Sequence, residues 1–517
     1  MRPHLHLADP DLLEQILAEA KRILAEIGME VHSPELRRRL SAAGLPVQER
    51  DARVYFPPDV VDQAIAAAPA SFTLWGRQGA SSVEPRTLGQ GQMHFAPGSS
   101  GLYLLDHRSA AVRMPVTLDL VEAFRLVDGM EHISFAATSF STGDVAPQIA
   151  DAWRLYLALT QTRKPLVSGA FTAHGVPRMA EMLALFRHDR ADLAARPLAL
   201  FTITASGNFR YSADSCQNLL DCLAWGIPVE IVPLTIIGLV APVTPVGAAI
   251  FHVADALAGI SMAQVLRPGH PVLFGGGAAA FHMREATSPL PAVEALRHVA
   301  LYTAVGRHLG LPTQAYTATS ESKQLDAQAG AETWASAMNA ALAGVDLVSG
   351  PGMLNYLLTF HLPKLVVDNE ICGQVLHFLG DVAVREDAPA LELARSQLQE
   401  GHLLTAPHTQ RHWPQQMYLP GPVWDRRTLE GWQAAGSPTL WQRAVAEVEA
   451  RLAAYEPLPT DPAIDRELRR LLRDACDCRL PDLPPAPSPQ TTTQGYLNTA
   501  EGRGRRGGRM RKRTRTG

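Results

Sequence analysis

The chain has 517 residues, 46% apolar and 19% charged, enough to bury a large core in one domain with additions or in two or three domains. Its five cysteines (Cys216, Cys222, Cys372, Cys476 and Cys478) form no CxxC pair and offer no disulfide framework, which points to a cytoplasmic compartment and away from a cysteine zinc site. The formal charge of −4 is segregated: residues 502–517, GRGRRGGRMRKRTRTG, hold eight Arg or Lys and no acid, leaving the remainder near −12.

The start, MRPHLHLADPDLLEQ, lacks the basic-then-apolar order of a secretion signal. Residues 10–27 carry Leu, Ile and Ala at helical spacing, and SPELRRRLSAAG predicts a short helix capped by Ser and ended by Gly. The period then changes. RVYFPP, SFTLWGR, QMHFAPG and GLYLLDHRSAAVRM are short alternating runs broken by Gly and Pro, which predict small antiparallel strands. Residues 1–130 are therefore assigned to a helical and small-strand region.

From residue 131 to 380, short β-rich runs alternate with helical segments. The runs lie at 133–139, 165–171, 198–204, 228–234, 271–276, 312–318, 346–352 and 363–369. Strands alternating with helices build a parallel sheet covered on both faces. Eight such units predict an α/β fold of the (β/α)₈ TIM-barrel type; the alternative is a doubly wound sheet, although no GxGxxG follows the first strand. Residues 231–251 are uncharged and about the length a bilayer requires, but their three prolines predict strand, loop and helix instead. Residues 381–480 are expected to form C-terminal helices. Residues 481–517, rich in Pro, Thr and Gln before the basic run, are expected to be disordered, either as a solvated appendage or in contact with nucleic acid or an acidic partner.

Barrel enzymes place their chemistry beyond the C-terminal ends of the strands. The second predicted strand exits at Phe171 and Thr172, and the third leads to Asn208, Arg210 and Tyr211. The fifth leads to Phe281, Arg284 and Glu285. The sixth, which contains Tyr316, runs into TATSESKQLDAQAG, where Lys323 and Gln328 face the mouth and Asp326 is the expected cap of a helix of small residues. The seventh ends at SGPGMLNY with Tyr356, and the eighth at Asp368 and Glu370. His282 and His361 are isolated histidines, so no bound metal is expected.

Long ordered matches carry a resemblance to a known family: EIGMEVHSPELRRRLSAAG, GIPVEIVPLTIIGLVAPVTPVGA, QVLRPGHPVLFGG, SESKQLDAQAGAETWASAMNAALAGVDLVSGPG and VVDNEICG, then HT at 408–409 and VWDRR. Over roughly residues 10–455 the chain resembles the trimethylamine methyltransferase family, whose members pass a methyl group from a methylated amine to a cobalt corrinoid on a partner protein. The resemblance implies a (β/α)₈ barrel. The chain contains only standard residues, so it is similar to the branch without pyrrolysine, which acts on quaternary amines such as glycine betaine.

What the resemblance implies for the site follows from that chemistry. A trimethylammonium group is already a leaving group, so the protein's task is to position the C–N bond and exclude water. Aromatic faces suit such a cation, and the candidates are Phe171, Tyr211, Phe281, Tyr316, Tyr356 and Phe360, with Tyr103 and Phe209 beside them and Glu370 or Glu285 for charge. Arg284 or Lys323 would meet a substrate carboxylate. Lys323, Gln328 and Glu332 are the candidate catalytic residues. Gly275, Gly276, Gly277, Gly350 and Gly352 would allow close approach of the corrinoid (cobalamin). The expected partners are a methylated amine, the corrinoid protein and further copies of this chain. Two rivals remain: a Schiff-base, aldolase-type enzyme using Lys323, and a non-enzymatic protein that binds a partner or RNA through its tail.

Overall fold

The computed structural model describes residues 3–77, 83–99, 101–172, 174–207, 209–384, 389–476 and 478–483. Asn208 and, beyond residue 483, the basic tail lie outside the described residues.

Eight strands run parallel around a barrel. In chain order they are β1 (His94–Ala96), β2 (Ala136–Ala137), β3 (Leu166–Ser168), β4 (Ala199–Ala205), β5 (Val229–Ile237), β6 (Val272–Phe274 and Gly277–Ala280), β7 (Gln314–Tyr316) and β8 (Leu347–Ser349). From β2 to β8 each pairs with the next, and β8 pairs with β1. The ring closes between β1 and β2, where Ser134 N donates to Phe95 O at 2.9 Å and Gly101 N to Ser139 O at 2.9 Å. The strands are apolar because helices cover their outer faces while their inner faces pack on one another.

The count of eight is met with one exchange. The eighth strand predicted at 363–369 belongs to a helix, Leu362–Phe378, and its place is taken by β1, from the run QMHFAPG read as an antiparallel strand. LPKLVVDNEICGQVLHF is apolar on every side because the helix is buried almost all round, and a continuous apolar run has no period to separate helix from strand. Its charges are internal: Lys364 Nζ and Asp368 Oδ2 lie 2.5 Å apart, one turn along the same helix. The passage containing Lys323 therefore follows the seventh strand, not the sixth.

The N-terminal end of the barrel is stoppered. An antiparallel hairpin, Ser71–Leu74 with Arg86–Gly89, lies across it and packs Leu74 and Leu88 against Phe135, Val167, Leu200, Leu273 and Leu347 from the strands. Trp75 N donates to Pro197 O and Arg77 N to Arg163 O, both at 2.8 Å, fixing the hairpin to the chain just before β4 and β3.

The helices follow from their caps and faces. α1 (Pro10–Glu26) starts at Asp9, whose Oδ1 accepts from Leu12 N at 2.8 Å, and turns Leu13, Ile16, Leu17 and Leu24 inward. It rests on α2 (Pro245–Leu266), which also packs on β5. Residues 231–251 are thus the end of β5, a turn and the start of α2. α2 is long and apolar enough to cross a membrane, but 78% of its most apolar stretch is buried inside the protein. α3 (Ala327–Ala343) and α4 (Leu362–Phe378) pack on each other, and the C-terminal helix Leu440–Ala453 covers α4. Cys476 and Cys478 are joined by a disulfide that spans one residue, and Cys216, Cys222 and Cys372 are buried thiols.

Candidate active site

A chamber of about 430 Å³ opens at the C-terminal end of the barrel. Its wall alternates with the strand period of two: Thr202, Thr204 and Ser206 follow one another along and just beyond β4, and Val232 and Leu234 along β5. Ser99, Thr138 and Ser168 add further hydroxyls, and Tyr316 projects from β7. On the side of the helix Ala213–Trp225, Asp214 and Asn218 complete the lining.

Beneath the wall lies Glu230, fully buried and facing Thr202 in register across β4 and β5. Its Oε1 accepts from Thr202 Oγ1 at 2.6 Å and from Tyr316 OH at 3.4 Å, while Oε2 has no partner. Burial pushes this carboxyl up to about 7, against the two hydrogen bonds that lower it. Tyr316 is buried too, which raises its phenol, and its hydroxyl also meets Ser99 Oγ at 2.9 Å. Gln314 Nε2 and Ser349 Oγ, from β7 and β8, are likewise buried without partners.

A second carboxyl of similar character stands near the rim. Glu321 Oε1 accepts from the backbone N–H of Leu290, a lining residue, at 2.9 Å, and its Oε2 is buried without a partner. Burial, reinforced by nearby Glu332, raises it to about 7.

Of the residues singled out in sequence, Phe171, Tyr316 and Gly277 line the chamber. Phe171 is half exposed, with the Arg154 guanidinium 4.5 Å from its ring centre. The other aromatics stand elsewhere. Tyr211 is wholly buried and its hydroxyl donates to Asp255 O at 2.8 Å. Phe360 packs on Phe140 in the core, Phe209 packs on Phe251, and Tyr103 is exposed. Phe281 is half-buried; Arg284 and Glu285 are exposed on the same loop after β6. Glu370 lies on α4 and accepts from Gly421 N at 3.0 Å and Tyr418 OH at 3.2 Å, so it holds the C-terminal segment and not the mouth.

The stretch after β7 is a stapled loop. Glu332, on α3, accepts from Ser320 Oγ at 2.6 Å and Glu321 N at 2.8 Å, and its other oxygen accepts from Gln328 at 2.9 Å. Asp326 is the N-cap of α3, accepting from Ala329 N at 2.9 Å. Lys323 is exposed, its ammonium donating to Glu321 O at 2.7 Å and lying 4.8 Å from the centre of the Tyr356 ring. Protein atoms occupy the space where a side chain would stand at Gly275, Gly276, Gly350 and Gly352; at Gly350 that neighbour is the Thr317 carbonyl.

Glu230, Thr202, Thr204 and Asn218 were not singled out in sequence. The available signal was the lone acid in PVEIVPL, an otherwise apolar strand in which a carboxyl has no structural reason to be.

Comparison with known proteins agrees with this architecture. The profile of the trimethylamine methyltransferase (MTTB) family matches residues 1–474. A glycine betaine methyltransferase from Desulfitobacterium hafniense (strain Y51) is 27% identical over 474 residues, covering 91% of this chain and 97% of that protein. The trimethylamine methyltransferase MttB of Methanosarcina barkeri is 26% identical over 486 residues, covering 91% and 95%. Among solved structures, the monomethylamine methyltransferase MtmB of Methanosarcina barkeri superposes with a TM-score of 0.51 at 13% identity, over 86% of this chain and 88% of that one, and so shares the fold. With the family profile running through the barrel and the helices on either side of it, the chain belongs to the trimethylamine methyltransferase (MTTB) family and is a methyltransferase.

Proposed function

We propose that the protein moves a methyl group from a quaternary or other methylated amine to a cobalt(I) corrinoid carried by a partner protein. The observation that carries this reading is the chamber itself: a small pocket of mixed apolar and hydroxyl lining with a buried carboxyl beneath its wall, and exposed apolar side chains on the strand-end loops around it. Phe171, Leu234, Leu239, Val243, Met283 and Leu358 are all exposed on or near the loops that leave the strand ends. A corrinoid macrocycle with its side arms is larger than a chamber of about 430 Å³, so the amine fits inside and the macrocycle fits against the collar. When bound there, the corrinoid supplies the nucleophile that accepts the methyl group.

The residues of this chain hold and shield the amine. Ionised Glu230 would balance the ammonium charge through the Tyr316 and Thr202 hydroxyls, and the walls keep water from the reacting carbon. As the C–N bond breaks, its electron pair passes to nitrogen and the positive charge there disappears. An ionised carboxylate therefore favours the bound ammonium over the transition state, and Glu230 serves capture more than the chemical step. Lys323 is exposed outside the chamber and lacks the desolvated setting that a Schiff-base nucleophile needs.

The test is methyl transfer from quaternary amines to chemically reduced cobalamin, followed by the absorbance change of the corrinoid. Transfer that depends on the purified protein supports the reading. Absence of transfer from every methylated amine, with the protein folded, rejects it.

A further inference from the structure

We infer that the amine taken by this chamber is a hydroxylated quaternary ammonium without a carboxylate, an alkanolammonium such as (2-hydroxyethyl)trimethylammonium. This rests on reading the chamber as a methylated-amine pocket and adds which amines it selects.

Charge is the first argument. Among the described residues no Arg, Lys or His lines the chamber, whereas Asp214 does and Glu230 lies beneath the wall. Arg154, buried behind Phe171, has its charge paired with Asp151: one guanidinium nitrogen donates to Asp151 Oδ1 at 2.6 Å and another to Thr138 O at 3.2 Å, while Nε is buried without a partner and Arg154 is not part of the lining. Lys323 and Arg284 are exposed and not part of the lining. A substrate carboxylate drawn into this space would leave water without meeting a cation and would face two acids of its own sign.

Hydrogen bonding is the second. Asn218 spends its Nδ2 on Ala170 O at 2.9 Å, which leaves Oδ1, on a side chain about 4% exposed, buried in the lining with no partner. An unpaired acceptor asks for a donor, and an alcohol provides one where a carboxylate would repel it. The Thr204 and Ser206 hydroxyls also have no protein partner among the described residues and can bond a substrate alcohol either way.

The test is calorimetric titration of the full chain at pH 8 with (2-hydroxyethyl)trimethylammonium, tetramethylammonium and glycine betaine, with methyl transfer to reduced cobalamin measured from the same three compounds. The hydroxylated ion should bind about three- to tenfold more tightly than tetramethylammonium, the value of a neutral hydrogen bond, and at least about tenfold more tightly than glycine betaine. Thr204→Lys, which places an ammonium on the wall, should reverse the order between the hydroxylated ion and the betaine. Glycine betaine binding as tightly as the hydroxylated ion to the unaltered chain overturns the inference, and so does binding of none of the three. If the order holds but no compound gives up a methyl group, the selectivity stands and the methyl-transfer reading falls.

Discussion

Thr202 and Glu230 are cross-strand partners on β4 and β5 whose side chains meet inside the barrel, Oγ1 to Oε1, at 2.6 Å. A threonine hydroxyl that donates to a carboxylate favours its ionised form, while burial favours the neutral one. The two influences leave Glu230 poised near neutral pH, at about 7.

Binding of a quaternary ammonium should therefore tighten as pH rises through the range below 7, by about tenfold in all, and level off above it. Tyr316 and Thr202 are the groups that contact this carboxyl, and the phenol stays neutral through that range. Glu230→Gln should abolish the slope and raise KM about tenfold, near the ~1.5 kcal/mol expected for unit charges about 10 Å apart at an effective dielectric of about 20, while kcat holds or rises. A fall in kcat with KM unchanged would contradict the capture role.

The same shift has a stability signature. Folding raises this carboxyl from 4.5 to about 7, so between those values the folded chain keeps a proton that the unfolded chain has lost. The favourable contribution is complete below pH 4.5 and disappears as pH climbs through 7, a change of about 3 kcal/mol. Denaturant melts of the unliganded protein at pH 5 and pH 8 should show Glu230→Gln gaining relative stability at the higher pH.

Lys323→Ala should keep methyl transfer within about threefold and cost no more than about 1 kcal/mol of stability, since the ammonium is exposed and rests on the Tyr356 ring. Loss of all activity in a folded variant, with trapping of a carbonyl compound by borohydride on the parent, would reinstate the Schiff-base alternative.

Glu332→Ala removes the acceptor of both Ser320 Oγ and Glu321 N. The expected loss is about 1.5–3 kcal/mol in a denaturant melt, the range for hydrogen bonds to a charged group, with faster proteolysis at residues 320–324. Glu332→Gln should recover part of it.

Removal of everything after Leu480 should leave the melting temperature within about 2 °C. The sequence beyond it is too poor in apolar residues to add a core. Loss of most of the thermal stability would place the tail within the fold.

The barrel was legible because continuous apolar runs alternating with helical ones have few other solutions. What failed did so for want of length or period. β1 has only three residues, and α4 is buried on nearly all sides and so looks like a buried strand. The site was harder. Inspection of strand exits finds Phe171, but the chamber reaches down between the strands to Thr202 and Thr204. Whether a threonine within a strand turns inward depends on how the barrel closes, and that closure rests on a strand supplied from the N-terminal region. Lys323, Arg284 and Glu370 drew notice as charges near loops, yet each is spent elsewhere or exposed.

Because the hairpin packs across the N-terminal end, the chamber among the described residues opens at the C-terminal end of the barrel. On the proposed reading, amine and methyl acceptor both come and go by that end, so the order of events becomes compulsory: amine first, acceptor second, and demethylated product free only after the acceptor departs. Steady-state kinetics should then show excess acceptor inhibiting in competition with the amine, a traffic rule imposed by Leu74 and Leu88 from the far end of the barrel.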